Sequence, residues 1–506
     1  MRRSFRYRRE RLFPGSQRSV NYLLLIRVLG FLLLLVAGAM LACEGYTLIG
    51  DVDDERHDLA LTKSFVVTAI AGLALALLGR RSGKEILRKE AIAIVGVGWL
   101  LCTAAGALPY VLCAPGLSPV SAFFESASGF TTTGSSVIAD LDRFPRSILL
   151  WRATTQWLGG MGILVLFVAL LSNLGVGSKS LMRHESSAQS GYGFHSRIRE
   201  TALRLWQIYT GLTIVCVAGL TLLGMSLYDA TLHAFAAIST GGFSSQNTSV
   251  TFYASAGIDA WLCLFMVLGG ASFPLIAWLL RGGFSRVRRD EELRLYLALI
   301  ASATAVVTLD LVLRSGEGFG RGLQLASFQV ISIMTTTGFA TADFDLWPTL
   351  SQAILVILMF VGGCSGSTSG GIKVSRVAVF FRAAGQQLLN SFRPNQHVAI
   401  RLNGERLDES HINKALFFLA LTAFVVALST LAVTVLEPSL DLVSAFTAVA
   451  ATLFNIGPGL GEVGPTRTFA FLGMPAQMLL AMLMILGRLE FFGILALFLP
   501  ALWRRY

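Results

Sequence analysis

Apolar residues fill this chain in long blocks, and the blocks are separated by short polar stretches that end in glycine. Runs that can cross a hydrocarbon core, which takes about 20 helical residues, fall at 22–43, 64–80, 92–113, 147–173, 206–228, 257–280, 295–313, 350–382, 415–436 and 474–503. Ten crossings put both termini on one side of a membrane. From the third run onward the runs pair up, and inside each pair lies a shorter apolar segment that cannot span. These segments carry Ser121–Ala127, Leu232–Ile238, Leu325–Ile331 and Val443–Val449. Each leads into one polar word: Thr131-Thr132-Thr133-Gly134, Ser239-Thr240-Gly241-Gly242, Thr335-Thr336-Thr337-Gly338 and Phe454-Asn455-Ile456-Gly457. The predicted unit is helix, re-entrant half-helix, loop, helix, and it occurs four times.

Composition agrees with this pattern. The 506 residues are 54% hydrophobic and only 14% charged, more apolar surface than a soluble core could bury. The expectation is an all-α polytopic membrane protein of four channel-like helix–half-helix–helix repeats around one pore, preceded by two further transmembrane helices. Residues 1–89 form the arm and the leading helix pair, and the repeats take 90–204, 205–294, 295–412 and 413–506. The first apolar run is long enough to stay as a span and is not followed by a convincing signal-peptide cleavage site.

Charge gives the orientation. Arg2, Arg3, Arg6, Arg8, Arg9 and Arg11 precede the first span, and Arg80, Arg81, Lys84, Arg88 and Lys89 follow the second. The loop between those spans carries Glu44, Asp51, Asp53, Asp54 and Glu55. The positive-inside rule then makes both termini cytoplasmic, and Lys179, Arg183, Arg197, Arg281, Arg286, Arg382, Arg393, Arg504 and Arg505 fall on the same side. The net charge of +11 is dispersed among membrane-flanking loops, which argues against a nucleic-acid-binding domain. The six cysteines lie in or beside apolar runs without a CxxC pair, so packed thiols are expected and a metal site or disulfide framework is not.

Glycine lets a backbone adopt left-handed or crowded conformations, so carbonyl oxygens can turn toward a common axis. Irregular backbone survives at membrane depth only when it is buried in protein or lines a water-filled cavity. Four re-entrant segments entering from one side therefore point to a shared cation pathway, with the negative ends of the half-helices directed inward.

Two further interruptions stand out. Residues 361–373 break the run 350–382 with five glycines, and a flexible intramembrane loop is expected there; close helix packing through small residues is the alternative. Lys373 at that depth needs water or a partner. Arg488 lies in an otherwise apolar run and either faces the pathway or pairs with an acid such as Glu490. Arg152 and Gln156, one helical turn apart, either brace a neighbouring loop or, for Arg152, snorkel to the interface. Glu125 and His233 read as structural, His233 as a helix-start packing residue, and Asp310 lies near the outer end of its span.

These words, together with Trp151-Arg152, Gln156-Trp157-Leu158-Gly159-Gly160-Met161-Gly162, the Gly362–Gly371 stretch and Asn455-Ile456-Gly457-Pro458-Gly459, resemble the Trk/Ktr/HKT superfamily of potassium transporters. The resemblance covers nearly the whole chain and is strongest to the bacterial TrkH membrane subunits. It implies a selectivity filter that binds K⁺, built from Thr132, Thr133, Gly134, Thr240, Gly241, Gly242, Thr336, Thr337, Gly338, Asn455, Ile456 and Gly457. A filter glycine in all four repeats goes with potassium preference in that superfamily, and a serine in the first repeat with sodium transport in some plant members. The resemblance further implies a gating loop at Gly362, Gly363, Ser365, Gly366, Ser367, Thr368, Ser369, Gly370 and Gly371 with Lys373, and an electrostatic barrier at Arg488. It implies no covalent cofactor, a homodimer in a bacterial inner membrane, and a cytosolic nucleotide-binding ring of the TrkA type on the loops around 178–204, 284–294 and 384–412.

The function expected is potassium uptake driven by membrane potential; a Na⁺- or H⁺-coupled cation symporter is the alternative. There is no Walker A sequence and no cluster of acids, bases or metal ligands in the spans, so an enzyme is not expected. A coupled transporter of organic substrates would place broken helices in two related halves, whereas a single strongly broken span is visible here.

Overall fold

The computed structural model describes residues 20–50, 58–81, 88–162, 198–393 and 399–503. The arginine-rich arm, the acidic loop at 51–55, Lys84, residues 163–173 of the fourth expected crossing, the basic residues Lys179, Arg183 and Arg197, and Arg504 and Arg505 lie outside them. The described chain is almost wholly helical, with one two-stranded hairpin.

Two leading helices, α1 (Tyr22–Gly50) and α2 (Ala60–Leu78), pack against each other. Their contact depends on small residues: a Cβ on Gly30 would lie 2.6 Å from the Gly72 carbonyl oxygen. Such close approach is how helices associate where lipid is as apolar as the side chains. The first unit follows as α3 (Arg88–Leu112), the short α4 (Pro119–Phe130) and α5 (Arg146–Gly160). The second has α6 (Ile198–Leu222), α7 (Leu227–Ser239), α8 (Ala256–Gly270) and α9 (Phe273–Leu279), and a short α10 (Phe284–Arg289) follows it. The third has α11 (Glu291–Arg314), α12 (Phe319–Met334), α13 (Thr349–Phe360) and α14 (Val374–Phe392), then strands β1 (Arg401–Leu402) and β2 (Glu405–Arg406). The fourth has α15 (Glu409–Leu436), α16 (Leu442–Leu453), α17 (Met474–Arg488), α18 (Phe492–Leu495) and α19 (Pro500–Trp503).

Helices α4, α7, α12 and α16 are the half-membrane helices. Three of them start on a side-chain cap: Ser118 accepts from the Ser121 N–H, Ser226 from the Asp229 N–H, and Asp441 from the Val443 and Ser444 N–H groups. Each such cap supplies about 1 kcal/mol. The units then engage head to tail, because the helix that leaves one unit packs on the half-helix of the next. α5 lies on α7, α8 on α12, α13 on α16, and α17 on α4, so the circuit closes.

Among the described residues six helices are long and apolar enough to span, or seven if the bent pair α8 and α9 counts as one. Four of the ten expected runs are those that follow the half-helices, and three of these are visibly broken. The run 257–280 bends by 105° between α8 and α9, 350–382 opens between α13 and α14, and 474–503 stops at Arg488 before short helical pieces. The fourth, α5, ends at Gly160. The single broken span of the sequence reading is therefore one of a set.

Three of the four helix ends lie at a close contact with a half-helix. A Cβ on Gly159 would lie 1.8 Å from the Phe130 carbonyl oxygen, one on Gly487 1.8 Å from that of Leu453, and one on Gly269 3.0 Å from that of Ile238. These oxygens belong to equivalent positions at the ends of α4, α16 and α7. Gly487→Ala, which must displace backbone, is expected to lower the thermal midpoint of the detergent-solubilised protein by several degrees. Gly211→Ala, in open space on α6, should leave it unchanged or raise it slightly.

Candidate functional site

The four half-helices end in the same backbone motif. In each, an N–H reaches back five residues at 2.8 Å: Thr133 to Ser128, Gly241 to Ala236, Thr337 to Ser332, and Ile456 to Ala451. A second bond reaches back three residues, from Thr132 to Gly129, Thr240 to Ala237, Thr336 to Ile333 and Asn455 to Thr452. This pair of bonds is the Schellman cap, which requires a left-handed residue between them. The left-handed residues are Thr132 (φ +56°), Thr240 (+54°), Thr336 (+57°) and Asn455 (+56°). Threonine is a poor choice for that conformation, and each such residue stores on the order of 1–3 kcal/mol of strain.

Two residues further on, φ is positive again at Gly134, Gly242, Gly338 and Gly457, whereas the residue between is not left-handed. Alternation of hand turns successive carbonyl groups toward one side. The segments also interlock. A Cβ on Gly134 would meet the Gly241 oxygen at 2.3 Å, on Gly242 the Thr337 oxygen at 2.0 Å, on Gly338 the Ile456 oxygen at 2.1 Å, and on Gly457 the Thr133 oxygen at 2.9 Å. All twelve sequence-predicted filter residues thus come together in one ring of four segments. Asn455 adds a side-chain link by donating to Thr133 Oγ1 at 2.9 Å, and Ser135 donates to the Gly457 carbonyl at 2.7 Å.

Buried polar side chains hold the ring from behind. Arg152, 3% exposed, pairs with fully buried Glu125 at 2.8 Å, stacks over Phe243 at 4.0 Å and donates to the Ser244 carbonyl. Glu125 also accepts from Ser136 Oγ and the Val137 N–H. Arg152 is therefore a buried brace and does not snorkel. Gln156 donates to the Gly241 carbonyl at 2.6 Å and accepts from the Phe243 N–H at 3.1 Å, so one side chain from the first unit fixes the segment of the second. His233 lies in mid-helix, not at the helix start, between the Asp229 carbonyl and Ser244 Oγ. Asp310 is buried at the end of α11, pairs with Arg314 and accepts from Ser351.

A second closed circuit runs through the linkers beyond the ring. Leu141 N–H donates to Asn247, Ala340 N–H to Ser249, Gly461 N–H to Asp345, and Phe469 N–H to the Ser136 carbonyl. Burial pushes the Asp345 carboxyl above the usual carboxylate value, against the opposing bond from Gly461.

On the other side of the ring, the chain between α13 and α14 breaks where the sequence predicts, but the loop is densely bonded. Gly370 donates to Thr336 Oγ1 at 2.7 Å, Thr368 Oγ1 to the Ile238 and Gly269 carbonyls, and Cys364 N–H to the Gly270 carbonyl. A Cβ on Gly370 would lie 2.4 Å from the Phe454 oxygen, and one on Gly363 2.4 Å from that of Gly270. The loop thus touches the second, third and fourth units. Lys373 is buried and donates to the Ser369 carbonyl at 2.5 Å, with Ser367 Oγ within 3.4 Å. Arg488 completes the layer: its guanidinium donates to the Thr368 carbonyl at 2.6 Å and to Gly159 and Gly160 at 2.7 and 2.8 Å. Glu490, the alternative partner that the two-residue spacing already disfavours, pairs with Arg376 of α14 instead. That pair was not foreseen from sequence, and neither was the grip of Glu292 on the loop through the Ser365 and Ser375 N–H groups. Among the described residues no group of histidine, cysteine and acidic side chains could hold a metal ion in a conventional site.

Spanning helices around a ring of backbone segments define an integral membrane transport protein, not an enzyme. A family model described as TrkH, a cation transport protein, matches residues 57–505. The chain belongs to the TrkH family. It is 36% identical over 489 residues to the Trk system potassium uptake protein TrkH of Salmonella typhimurium, covering 96% of this chain and all of the relative. It is also 36% identical over 491 residues to the TrkH of Escherichia coli, with the same shares covered. The crystal structure of the potassium transporter TrkH from Vibrio parahaemolyticus is similar with a TM-score of 0.84 at 34% identity, covering 96% of this chain and 100% of that one.

Removing either partner of the Arg152–Glu125 pair leaves a buried charge and is expected to cost about 3–5 kcal/mol. Glu125→Ala should therefore melt well below the parent protein in a thermal-shift measurement, whereas Arg467→Ala, which breaks an exposed pair, should shift the midpoint little.

Proposed function

We propose that this chain is a potassium uptake subunit of a bacterial inner membrane, and that K⁺ crosses it through the ring of four glycine segments. The observation that carries this reading is the closed circuit of glycine and carbonyl contacts, since backbone oxygens fixed around one axis can replace the hydration shell of a cation. The names of the relatives supply the choice of K⁺. Residues 90–204, 205–294, 295–412 and 413–506 act as the four units, with 1–89 as a leading domain and both termini cytoplasmic. The half-helix C-termini aim their partial negative charge at the ion below the ring. One charge moving through 100 mV gains about 2.3 kcal/mol, enough for more than a tenfold concentration ratio.

The loop 361–373 is the gate. It lies against Thr336 and Phe454, directly behind two filter segments, and Lys373 and Arg488 add two positive charges to the same layer. An arginine at that depth costs about 2.5–3.5 kcal/mol on insertion scales. Its bonds to three carbonyls offset that cost while leaving its charge in place. Opening requires those bonds to be exchanged for water or for other protein partners. A cytosolic nucleotide-binding ring acting on the basic loops around 178–204, 284–294 and 384–412, and a homodimer with one pathway per protomer, complete the proposal.

Coupled symport is the second reading, and the broken helices favour it, because transporters place their ion sites at such breaks. Flux that follows an imposed Na⁺ or H⁺ gradient in the absence of a membrane potential would select it.

Gly338→Ser faces both a positive φ and the Ile456 carbonyl. We expect reconstituted vesicles carrying it to lose preference for K⁺ and Rb⁺ over Na⁺ and Li⁺; unchanged selectivity removes Gly338 from the filter. Arg488→Ala is expected to raise basal Rb⁺ flux severalfold, and a well-folded variant that conducts no faster rules out the barrier.

A further inference from the structure

The hairpin β1–β2 is small, exposed and outside any span, yet its turn is built with care. Arg401 pairs with Arg406 and Leu402 with Glu405, leaving Asn403-Gly404 as a two-residue turn. Both have positive φ, +54° and +80°, which is the type I′ geometry for which Asn-Gly is the favoured sequence. The turn delivers the Asn403 side chain to the first residues of α11. Its Oδ1 accepts from the Glu291 N–H at 2.7 Å, and its Nδ2 donates to Asp290 Oδ2 at 2.9 Å. Asp290 caps the same helix by accepting from the Leu293 N–H at 2.8 Å.

The two acids that follow face elsewhere. Glu291 pairs at 2.6 Å with Arg382 of α14, whose guanidinium also donates to the Arg401 carbonyl of the hairpin. Glu292 turns toward the interior, and its Oε1 accepts from the Ser365 N–H at 2.7 Å and the Ser375 N–H at 3.0 Å. The first amide lies within the intramembrane loop and the second in the first turn of α14, and the two serine hydroxyls also meet at 2.6 Å. A single carboxylate oxygen therefore clasps the loop to the start of α14, and the adjacent residues on the same helix end are held by the hairpin.

We propose that the hairpin at 399–407 is a handle on the intramembrane loop, acting through the acidic triplet Asp290-Glu291-Glu292. With the handle docked, the end of α11 is fixed and Glu292 keeps the loop closed. A pull on the hairpin frees Glu291 and Asp290, shifts the helix end and loosens the clasp. Glu292 is thus a positioning residue for the loop, and Asn403 positions it in turn without touching the loop. The functional consequence rests on the reading of this loop as the gate; the mechanical link does not.

The test separates the two. Asn403→Gly keeps the left-handed turn and deletes only the side chain, so the fold is spared. Amide hydrogen exchange over 361–375 is measured by mass spectrometry on the full-length protein in lipid nanodiscs, alongside Rb⁺ uptake by vesicles. We expect exchange across Ser365 and Ser375 to quicken about tenfold in Asn403→Gly, as loss of bonds to a charged group implies, with the half-helices unchanged. Glu292→Ala should quicken it at least as much, and Glu292→Gln, which keeps an acceptor oxygen, less. Faster exchange with raised uptake supports both the handle and the gate. Faster exchange with unchanged uptake supports the handle and overturns the gate. Unchanged loop exchange in Asn403→Gly overturns the handle, whatever Glu292→Ala does.

Discussion

Each of the four ring segments occupies, with a main-chain oxygen, the space in which its neighbour would carry a side chain. That mutual exclusion fixes much of the architecture. It demands glycine at 134, 242, 338 and 457, and it demands that the half-helices end in register, which the four identical caps provide. It also demands that the following helix press against the end of the half-helix, which Gly159, Gly269 and Gly487 allow. Once that contact is made, the helix breaks, and the space beneath the ring fills with irregular backbone. Buried polar side chains follow from the same constraint, since unsatisfied groups at this depth are expensive. Glu125, Arg152 and Gln156 answer it above, and Thr368, Lys373 and Arg488 below.

Much of this was legible in the sequence. The alternation of long and short apolar segments gives the helices, and the four polar words give the ring residues, because glycine and threonine clusters are conspicuous among leucine and valine. The break at 361–373 is likewise written in glycine and serine. The other breaks were hidden for a physical reason. At Gly269–Ser272 the interruption is only four small residues and at Arg488–Phe491 only two charges, so the flanking apolar runs read as continuous through a bend that depends on contact with another segment. Glu490 and Phe491 even take positive φ without a glycine to announce it.

Pairings between distant residues were hidden as well. Two residues on a helix tell against an Arg488–Glu490 pair, but nothing in the sequence pairs Glu490 with Arg376, which is 114 residues away. Nor does any local pattern say that Glu292 reaches Ser365. Buried side chains choose partners by the tertiary neighbours they meet, and single-sequence reasoning recovers the need for a partner without its identity. The threonines at 132, 240 and 336 illustrate the limit from the other direction. Propensity would place glycine at those caps, and the strain is tolerated because their surroundings leave no other conformation.

The head-to-tail order of the ring has a consequence for how the molecule comes into being. The contact that closes the circle joins Thr133 to Asn455 across 322 residues. Until the last half-helix leaves the ribosome, the first segment has one flank with nothing to lean on, and its strained threonine is supported on a single side. Closure entropy rises only slowly with such a distance, but the wait is set by synthesis, at about 5–20 residues per second. The earlier units must therefore sit in the bilayer for tens of seconds as an open arc, with polar backbone facing a gap that only the end of the chain can fill.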